Sequence, residues 1–335
     1  MKLYFTFNND IEGNTVYIDM LKACLISAKK NTTLQLNAIY DGNDSDRLYN
    51  ILIDNGVNVI RHSLSFYDKL NNFYDDTYKK LTNMENMKLK QAACNFMKFE
   101  IPLFEKDEDL VLYSDIDVLF LKNPELTGFY TKTLAAAPEF DQNYDHIKGY
   151  KYFNAGIMLL NVKELAKRRE LLLDMLDKKQ RPYQECWDQG FFNELYKHDF
   201  DILSNEYNWK PYWGINENTK IVHLHGWLKP QSFDGKKNIG SLLIRFPHAP
   251  EGYIYYFIKF FNILNRDSSL YIANLSIFLR ELYNSTYIKR QCKLSTLFYK
   301  FIYSKFAKYT NIIVIKQLVN YSKRKLIKKG INLSI

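Results

Sequence analysis

The sequence is poor in cysteine and contains no long apolar segment. Its cysteines, Cys24, Cys94, Cys186 and Cys292, include no C-x-x-C pair. So few cysteines in a chain of 335 residues argue against a disulfide framework and favour a reducing cytosol. No run reaches the roughly 18 to 20 apolar residues of a transmembrane helix. Residues 1–7 meet polar residues at once, so no signal peptide is expected, and no repeat of about 20 to 50 residues is present.

Acidic residues are scarce near the end of the chain. Residues 251–335 hold 15 Lys and Arg against 3 Asp and Glu, a net charge of +12. Residues 1–250 hold 31 against 34, a net charge of −3. We therefore expect one domain over 1–250 and a basic, aromatic-rich, mostly helical extension over 251–335. The uneven charge indicates an anionic partner for the extension.

Apolar patterning before residue 250 alternates between strand and helix. Strands alternating with helices indicate parallel βαβ units, so an α/β domain is predicted. Gly56 is a plausible C-terminal cap of the second helix. The predicted strands are 2–7, 34–40, 57–62, 134–137 and 156–161, with one more around the acidic pair described next. The predicted helices are 15–30, 46–55, 91–105 (interrupted by Pro102), 163–179 and 188–196.

Residues 110–123, LVLYSDIDVLFLKN, place two acidic residues within an apolar segment. Carboxylates in a buried strand are costly unless a partner compensates them. Asp115 and Asp117, two positions apart at the end of a strand, can both turn toward one ligand. Hard divalent cations such as Mn²⁺ or Mg²⁺ prefer carboxylate oxygens and bridge phosphates. Taken alone, the same pattern also fits two surface acids on a turn.

Three more segments follow: YFNAGIMLLN at 152–161, WDQGFFN at 187–193 and HLHGWLKP at 223–230. Together with the acidic pair they resemble glycosyltransferase family 8, whose patterns are roughly Y-x-D-x-D, F-N-x-G, D-Q-D-x-x-N and H-x-x-G-x-x-K-P-W. The resemblance covers about residues 1–235. It implies a Rossmann-like GT-A fold and a retaining transferase that moves galactose or glucose from a UDP-sugar.

The chain departs from the family pattern at several positions, including Asn8, where the family often has Asp. Gly190 stands where the family usually has a second Asp, and Gln231 stands where it has Trp. Lys98 stands where it usually has Arg, and Lys loses the bidentate geometry of that side chain. Gly190 and Lys98 leave open a degenerate transferase that binds sugar nucleotides without turnover.

The resemblance implies a metal site and a diphosphate site. Besides Asp115 and Asp117, its third ligand is the histidine that opens H-x-x-G-x-x-K-P, which is His223 here. Mn²⁺, or Mg²⁺, is the expected ion, and Mn²⁺ tolerates mixed nitrogen and oxygen ligation. Gly226 would let the backbone approach a phosphate closely. Lys229 would place an ammonium on the diphosphate and assist departure of UDP.

The resemblance also implies residues around the donor sugar and the nucleotide. Asp188 would bond a sugar hydroxyl or stabilise the oxocarbenium-like centre. Gln189 would lie beside the anomeric carbon, where an amide is a poor nucleophile, so attack within an ion pair is favoured. Which of residues 8–10 reads the uracil stays open. The expected donor-binding residues are Thr6, Asn8, Asp10, Lys98, Asp115, Ile116, Asp117, Asn154, Gly156, Gly226 and Lys229.

Basic residues interleaved with aromatics over 253–329 have three interpretations. They can bind nucleic acid, hold the protein on an anionic membrane surface, or form a helical subdomain with a basic solvated face. A nucleic-acid-binding protein would leave the four motifs unexplained, so no nucleic acid is expected. Related bacterial transferases carry such tails because their acceptors are lipid-linked. We expect a cytoplasmic enzyme on the inner face of the cell membrane, acting on a saccharide or lipid-linked glycan in lipopolysaccharide or capsule assembly.

Overall fold

The computed structural model describes residues 1–74, 89–126, 128–139, 152–182, 187–197, 199–226, 228–230 and 248–268. None of the helices in these ranges has the length and apolar character needed to cross a membrane. The strands are β1 (Lys2–Asn8), β2 (Gln35–Asp41), β3 (Asn58–Arg61), β4 (Leu110–Ser114), β5 (Val118–Phe120), β6 (Leu134–Pro138), β7 (Phe153–Asn161), β8 (Asp201–Ile202) and β9 (Ile221–His223). The helices are α1 (Thr15–Asn31), α2 (Arg47–Asp54), α3 (Tyr67–Phe73), α4 (Leu89–Phe96), α5 (Ile101–Phe104), α6 (Val162–Asp177), α7 (Asp188–Leu195) and α8 (Ala249–Ile263).

Seven strands form one mixed sheet in the order β3-β2-β1-β4-β7-β6-β8. Strands β1 to β4 run parallel, and α1 and α2 connect the first three, so the predicted βαβ units are confirmed. β7 runs antiparallel to both β4 and β6. The carboxyl ends of β1 and β4 lie at one edge of the sheet, which is where ligands bind in open α/β sheets.

Alternate residues of β1 face two separate apolar cores. Leu3, Phe5 and Phe7 pack with residues of α1 and α2 on one face of the sheet. Tyr4 packs with residues of α4, α6 and α7 on the other face. Both faces are therefore covered, which explains why the strand reads as a nearly continuous apolar run.

The predicted helix over 91–105 is broken into three pieces. A 3-10 turn, Met97–Glu100, separates α4 from α5, and Pro102 occupies the first turn of α5. Proline fits there because its missing N–H has no helical acceptor to lose. The interruption thus precedes Pro102, and it places Lys98 on the 3-10 turn.

The buried carboxylate of Glu105 forms a hydrogen-bonded cluster at the edge of the sheet where β1 begins. It accepts hydrogen bonds from the Tyr4 hydroxyl at 2.7 Å, from Lys2 Nζ at 3.1 Å, and from the N–H groups of Asp107 and Glu108 at 2.8 and 3.0 Å. Burial alone would raise the pKa of Glu105, but these hydrogen bonds outweigh burial and hold the pKa below its ordinary value. The start of β1 is thereby fastened to the segment that leads into β4.

The chain forms two compact units. The first comprises Met1–Trp209 and Glu217–His223, and the second comprises Lys210–Asn216 and Leu224–Ile335. The boundary near residue 250 stays a prediction, and α8 runs from Ala249 to Ile263. Gln231 and the extension beyond residue 268, with its predicted helices, lie outside the described residues.

Candidate active site

Two strands from distant parts of the chain bring the predicted metal ligands together. Asp115 and Asp117 lie in the connection from β4 to β5, so they follow a strand rather than occupy one. β5 pairs antiparallel with β9, and Val118 lies opposite His223. One ligand atom from each of Asp115, Asp117 and His223 lies within 4.8 Å of the others. Within the described ranges, no other group of three such side chains converges in this way.

Hydrogen bonds fix which nitrogen of His223 faces the acidic pair. Asn154 Oδ1 accepts from the Gly156 N–H at 3.1 Å and from Asn208 Nδ2 at 2.9 Å. The same oxygen lies 3.1 Å from His223 Nδ1, and so does Asn208 Oδ1. Because both oxygens are acceptors, Nδ1 must donate the proton. Nε2 is then directed at Asp117 Oδ1, 3.1 Å away.

This arrangement fits a divalent metal ion. The Nε2 lone pair and the Asp117 carboxylate are both acceptors, so a proton or a metal cation must lie between them. The amides of Asn154 and Asn208 orient the imidazole from behind, as partners of metal-bound histidines commonly do. Two carboxylates and one imidazole form a mixed oxygen and nitrogen set of the kind that Mn²⁺ accepts.

Gly156 occupies a position with no room for a side chain. A Cβ atom there would lie 2.3 Å from His223 Cε1 and 2.9 Å from Asp115 Oδ2. The carbonyl of Gly156 accepts the Asp115 N–H at 2.7 Å. The glycine therefore lets β7 approach both predicted ligands, which is a packing reason for the glycine of the F-N-A-G segment.

A buried lysine connects the acidic pair to α7. Lys98 is 1% exposed, and its ammonium contacts Asp188 Oδ2 at 2.7 Å, the Ala155 carbonyl at 3.3 Å and Asp115 Oδ1 at 3.5 Å. It also lies 4.4 Å from the centre of the Tyr113 ring. Burial would lower the pKa of Lys98, but the carboxylates of Asp115 and Asp188 hold that pKa well above its ordinary value. Burial raises the pKa of Asp188, and the ammonium opposes that rise.

The first turn of α7 is hydrogen-bonded to the start of β7. Gln189 Oε1 accepts from the Ala155 N–H at 3.0 Å and from Asn154 Nδ2 at 3.1 Å. Glu139 also accepts a hydrogen bond from Asn154 Nδ2. Asn154 thus lies inside β7, which begins at Phe153, three residues before the start of the predicted strand. The side chains of the F-N-A-G and D-Q-G segments form one hydrogen-bonded network.

The chain belongs to glycosyl transferase family 8. Its family model, described as "Glycosyl transferase family 8", matches residues 14–232. This match confirms the predicted family and shows that the protein is a glycosyltransferase. Among curated proteins, none is significantly similar to this chain in sequence.

Two solved structures of the glycosyltransferase LgtC share the fold. An active-site mutant of LgtC is 16% identical with a TM-score of 0.51, covering 72% of this chain and 95% of that chain. The galactosyltransferase LgtC in complex with donor and acceptor sugar analogs is 16% identical with a TM-score of 0.50, covering 73% and 96%. Mouse xyloside xylosyltransferase 1 is 18% identical, covering 66% and 96%, with a TM-score of 0.47. The mixed α/β sheet and the LgtC structures confirm the predicted GT-A fold class.

Two residues of this family 8 site were not assigned from the sequence. The Tyr113 hydroxyl donates to Asp115 Oδ1 at 2.7 Å and lies 3.2 Å from Thr6 Oγ1. The Tyr of the family's Y-x-D-x-D pattern could have identified Tyr113 from the sequence. Asn208 belongs to none of the four motifs, and no local signal distinguishes it.

The other predicted donor-binding residues lie in both units. Asn8 ends β1 and Asp10 follows in a 3-10 turn, at the carboxyl edge of the sheet. Ile116 packs against the apolar core that contains α1. In the second unit, Gly226 has a φ of +105°, and Lys229 Nζ donates to the Leu224 carbonyl at 2.8 Å. The structure brings together Asp115, Asp117, His223, Lys98, Asn154, Gly156, Asp188 and Gln189, and the role of each predicted residue stays a prediction.

Proposed function

We propose that this family 8 enzyme is a metal-dependent, retaining hexosyltransferase. It moves galactose or glucose from UDP to a saccharide or lipid-linked glycan acceptor. The observation that supports this most directly is the convergence of Asp115, Asp117 and His223 at the carboxyl edge of the sheet. These three residues would hold Mn²⁺ or Mg²⁺, which when bound neutralises the departing diphosphate and orients it without proton transfer.

The chain's own residues orient the donor around that position. Lys98 bonds Oδ2 of Asp188, and this contact directs the carboxylate so that its other oxygen can accept a sugar hydroxyl. Tyr113 donates to Asp115 and fixes the rotamer of that ligand. Preorganised groups of this kind cost little reorganisation when charge develops in the transition state.

The position of Gln189 supports attack within an ion pair. Two N–H donors already occupy its side-chain oxygen, at 3.0 and 3.1 Å. An amide oxygen engaged in this way is a weaker nucleophile than the carboxylates that form glycosyl-enzyme intermediates. Departure of UDP and attack by the acceptor on the same face of the sugar retain configuration without a covalent bond to Gln189.

The setting we propose is the inner face of the cell membrane, in assembly of lipopolysaccharide or capsule. The support is the net charge of +12 over residues 251–335. An anionic leaflet attracts such a segment by about 1 kcal/mol for each basic residue near the surface. LgtC, which shares the fold, was solved with donor and acceptor sugar analogs, and a sugar acceptor fits that setting.

A donor screen tests the proposal. Full-length protein is incubated with UDP-galactose, UDP-glucose and other UDP-sugars, with Mn²⁺, with Mg²⁺ or with EDTA, and released UDP is measured. We expect UDP release from one hexose donor, loss of release in EDTA, and recovery when metal is restored. Full activity in EDTA would contradict metal dependence. UDP-sugar binding without release from any donor would favour a degenerate transferase.

A further inference from the structure

The predicted diphosphate-binding loop, residues 224–230, shares its unit with α8. Gly252 of α8 packs directly on the 3-10 turn Pro211–Trp213: a Cβ at Gly252 would come within 1.9 Å of the Pro211 carbonyl oxygen. The helix therefore meets the turn backbone against backbone. This contact sets the rotation of α8 and with it the direction of the next side chain, Tyr253.

The Tyr253 hydroxyl is buried without compensation. The residue is 0% exposed, and its hydroxyl has no hydrogen-bond partner in the part of the chain that the structure describes. Burial raises the pKa of Tyr253 well above its ordinary value, so the hydroxyl keeps its proton and remains a donor. A buried hydroxyl of this kind is costly and uncommon in proteins.

The hydroxyl is directed at Gly226. The φ of Gly226 is +105°, which favours glycine. A Cβ there would lie 2.9 Å from the Tyr253 hydroxyl oxygen and 3.5 Å from the ring of Tyr212. Because Gly226 has no side chain, the Tyr253 hydroxyl can lie close against the backbone of the loop. A ligand oxygen bound at this side of the loop would therefore lie beside a hydroxyl donor that has no partner within the described residues.

The charge of the same loop favours a negatively charged oxygen. Lys229 donates to the Leu224 carbonyl at 2.8 Å, so its ammonium is folded back over the loop. The His225 ring is held by the Tyr212 hydroxyl, which lies 3.1 Å from Nδ1. The loop therefore carries a cationic side chain and packs against a neutral hydroxyl donor, and both kinds of group bind phosphate oxygens.

We infer that Tyr253 is a donor-binding residue whose hydroxyl donates a hydrogen bond to a diphosphate oxygen of the sugar nucleotide. This inference rests on the proposed function and adds a residue of α8 to the predicted diphosphate-binding loop of the same unit. The added residue lies beyond the stretch 14–232 that the family model matches. Because the hydroxyl is buried, this hydrogen bond requires the loop at Gly226 to move away from α8 when the donor binds.

Two tyrosine variants on the same helix test the inference. Tyr253→Phe removes an unpaired hydroxyl, whereas Tyr256→Phe removes one bonded to the backbone of Asn216 at 3.2 Å. Affinities for UDP and for inorganic pyrophosphate, each with Mn²⁺, are measured by calorimetry on full-length protein, together with Tm. Tyr253→Phe should weaken both ligands about tenfold or more, the scale of one hydrogen bond to a charged group, with Tm unchanged or higher. Tyr256→Phe should lower Tm by about 2 to 4 °C and leave both affinities unchanged.

Several outcomes would overturn the inference. Wild-type affinity in Tyr253→Phe would show that the hydroxyl does not reach the ligand. Weaker UDP binding with unchanged pyrophosphate binding would move the contact away from the diphosphate. Equal loss of affinity in Tyr256→Phe would assign the effect to helix packing. If wild-type protein binds UDP but the Tyr253 prediction fails, the proposed function stands; if wild-type protein binds no UDP with any metal, both fail.

Discussion

Gly156→Ala is the sharpest single test of the proposed metal site, because the added methyl group would clash directly with two of the predicted ligands. The added Cβ would lie 2.3 Å from His223 Cε1, and 2.9 Å from both His223 Nδ1 and Asp115 Oδ2. Carbon atoms in contact prefer about 3.5 to 4.0 Å, so the imidazole must move by about 1.2 Å or more. Such a shift also breaks the contacts of Nδ1 with Asn154 and Asn208.

The expected loss of activity is large relative to the loss of stability. A misplacement of about 1 Å in a reacting constellation can lower the rate about 100-fold. Overpacking a well-filled site costs about 1 to 3 kcal/mol of folding free energy, and a chain of this size can remain folded at that cost. We therefore expect Gly156→Ala to be folded at 25 °C, with weak Mn²⁺ binding and slow release of UDP.

The measurements are Mn²⁺ affinity by calorimetry, UDP release with a saturating donor, and Tm. Gly13→Ala is the matched control, because no atom lies within 4 Å of the Cβ that it would add, and it should match wild type in all three. Wild-type Mn²⁺ affinity and activity in Gly156→Ala would refute the reasoning. A lower Tm with unchanged metal affinity would refute it equally, because residues other than the predicted ligands would then have moved to relieve the clash.

Four further changes address other parts of the molecule. Asp117→Asn should abolish transfer and weaken Mn²⁺ binding while circular dichroism stays unchanged; wild-type metal affinity would contradict its assignment as a ligand. Lys229→Ala should slow UDP release by about 10- to 1000-fold, the scale for one positioned electrostatic group; an unchanged rate would remove Lys229 from the diphosphate site. Since the folded pKa of Glu105 is lowered, its stabilisation is full above about 4.5 and is lost as pH falls through the folded value. Glu105→Gln should therefore lower the free energy of unfolding at pH 7 by about 1.5 to 3 kcal/mol and flatten its acid dependence; equal urea midpoints for variant and wild type at pH 7 would contradict this. A chain ending at residue 268, which keeps α8, should no longer sediment with anionic vesicles, while full-length protein should be released as salt rises. Binding of full-length protein to duplex DNA but not to vesicles would favour the nucleic-acid interpretation instead.

Local elements follow from the sequence because their signals are local. The helix predicted at 15–30 is α1, Thr15–Asn31, and the Asn14 side chain caps it by accepting from two N–H groups. Strands β1 to β3 appear within about one residue of their predicted positions, since apolar runs bounded by turn residues define them. Gly56, with a φ of +72°, ends α2 as expected of a C-terminal cap.

Strand pairing could not be predicted in the same way. The pairing of Val118 with His223 joins residues more than 100 positions apart, and nothing in either segment specifies the partner. The antiparallel insertion of β7 between β4 and β6 also depends on distant contacts. Motifs alone could place the predicted metal ligands in one site, but the sheet that aligns them became visible only in the structure.

Supporting side chains were hardest to predict because they act through other residues. Asn208 contacts Asn154 and His223, which lie 54 and 15 positions away. Its role depends on folding, not on any spacing along the chain. Residues that orient ligands from behind lack the charge pattern that marks the ligands themselves.

Lys98 shows how a departure from the family pattern can preserve the connections of the site. An ammonium has three N–H donors, and Lys98 has three acceptors: Asp188 Oδ2, Asp115 Oδ1 and the Ala155 carbonyl. The bidentate geometry of arginine is absent, yet each donor has a partner and the charge lies between two carboxylates. The lysine therefore links the loop that contains Asp115 to β7 and α7. Because that link is intact, the exchange of arginine for lysine is by itself weak evidence for a degenerate site.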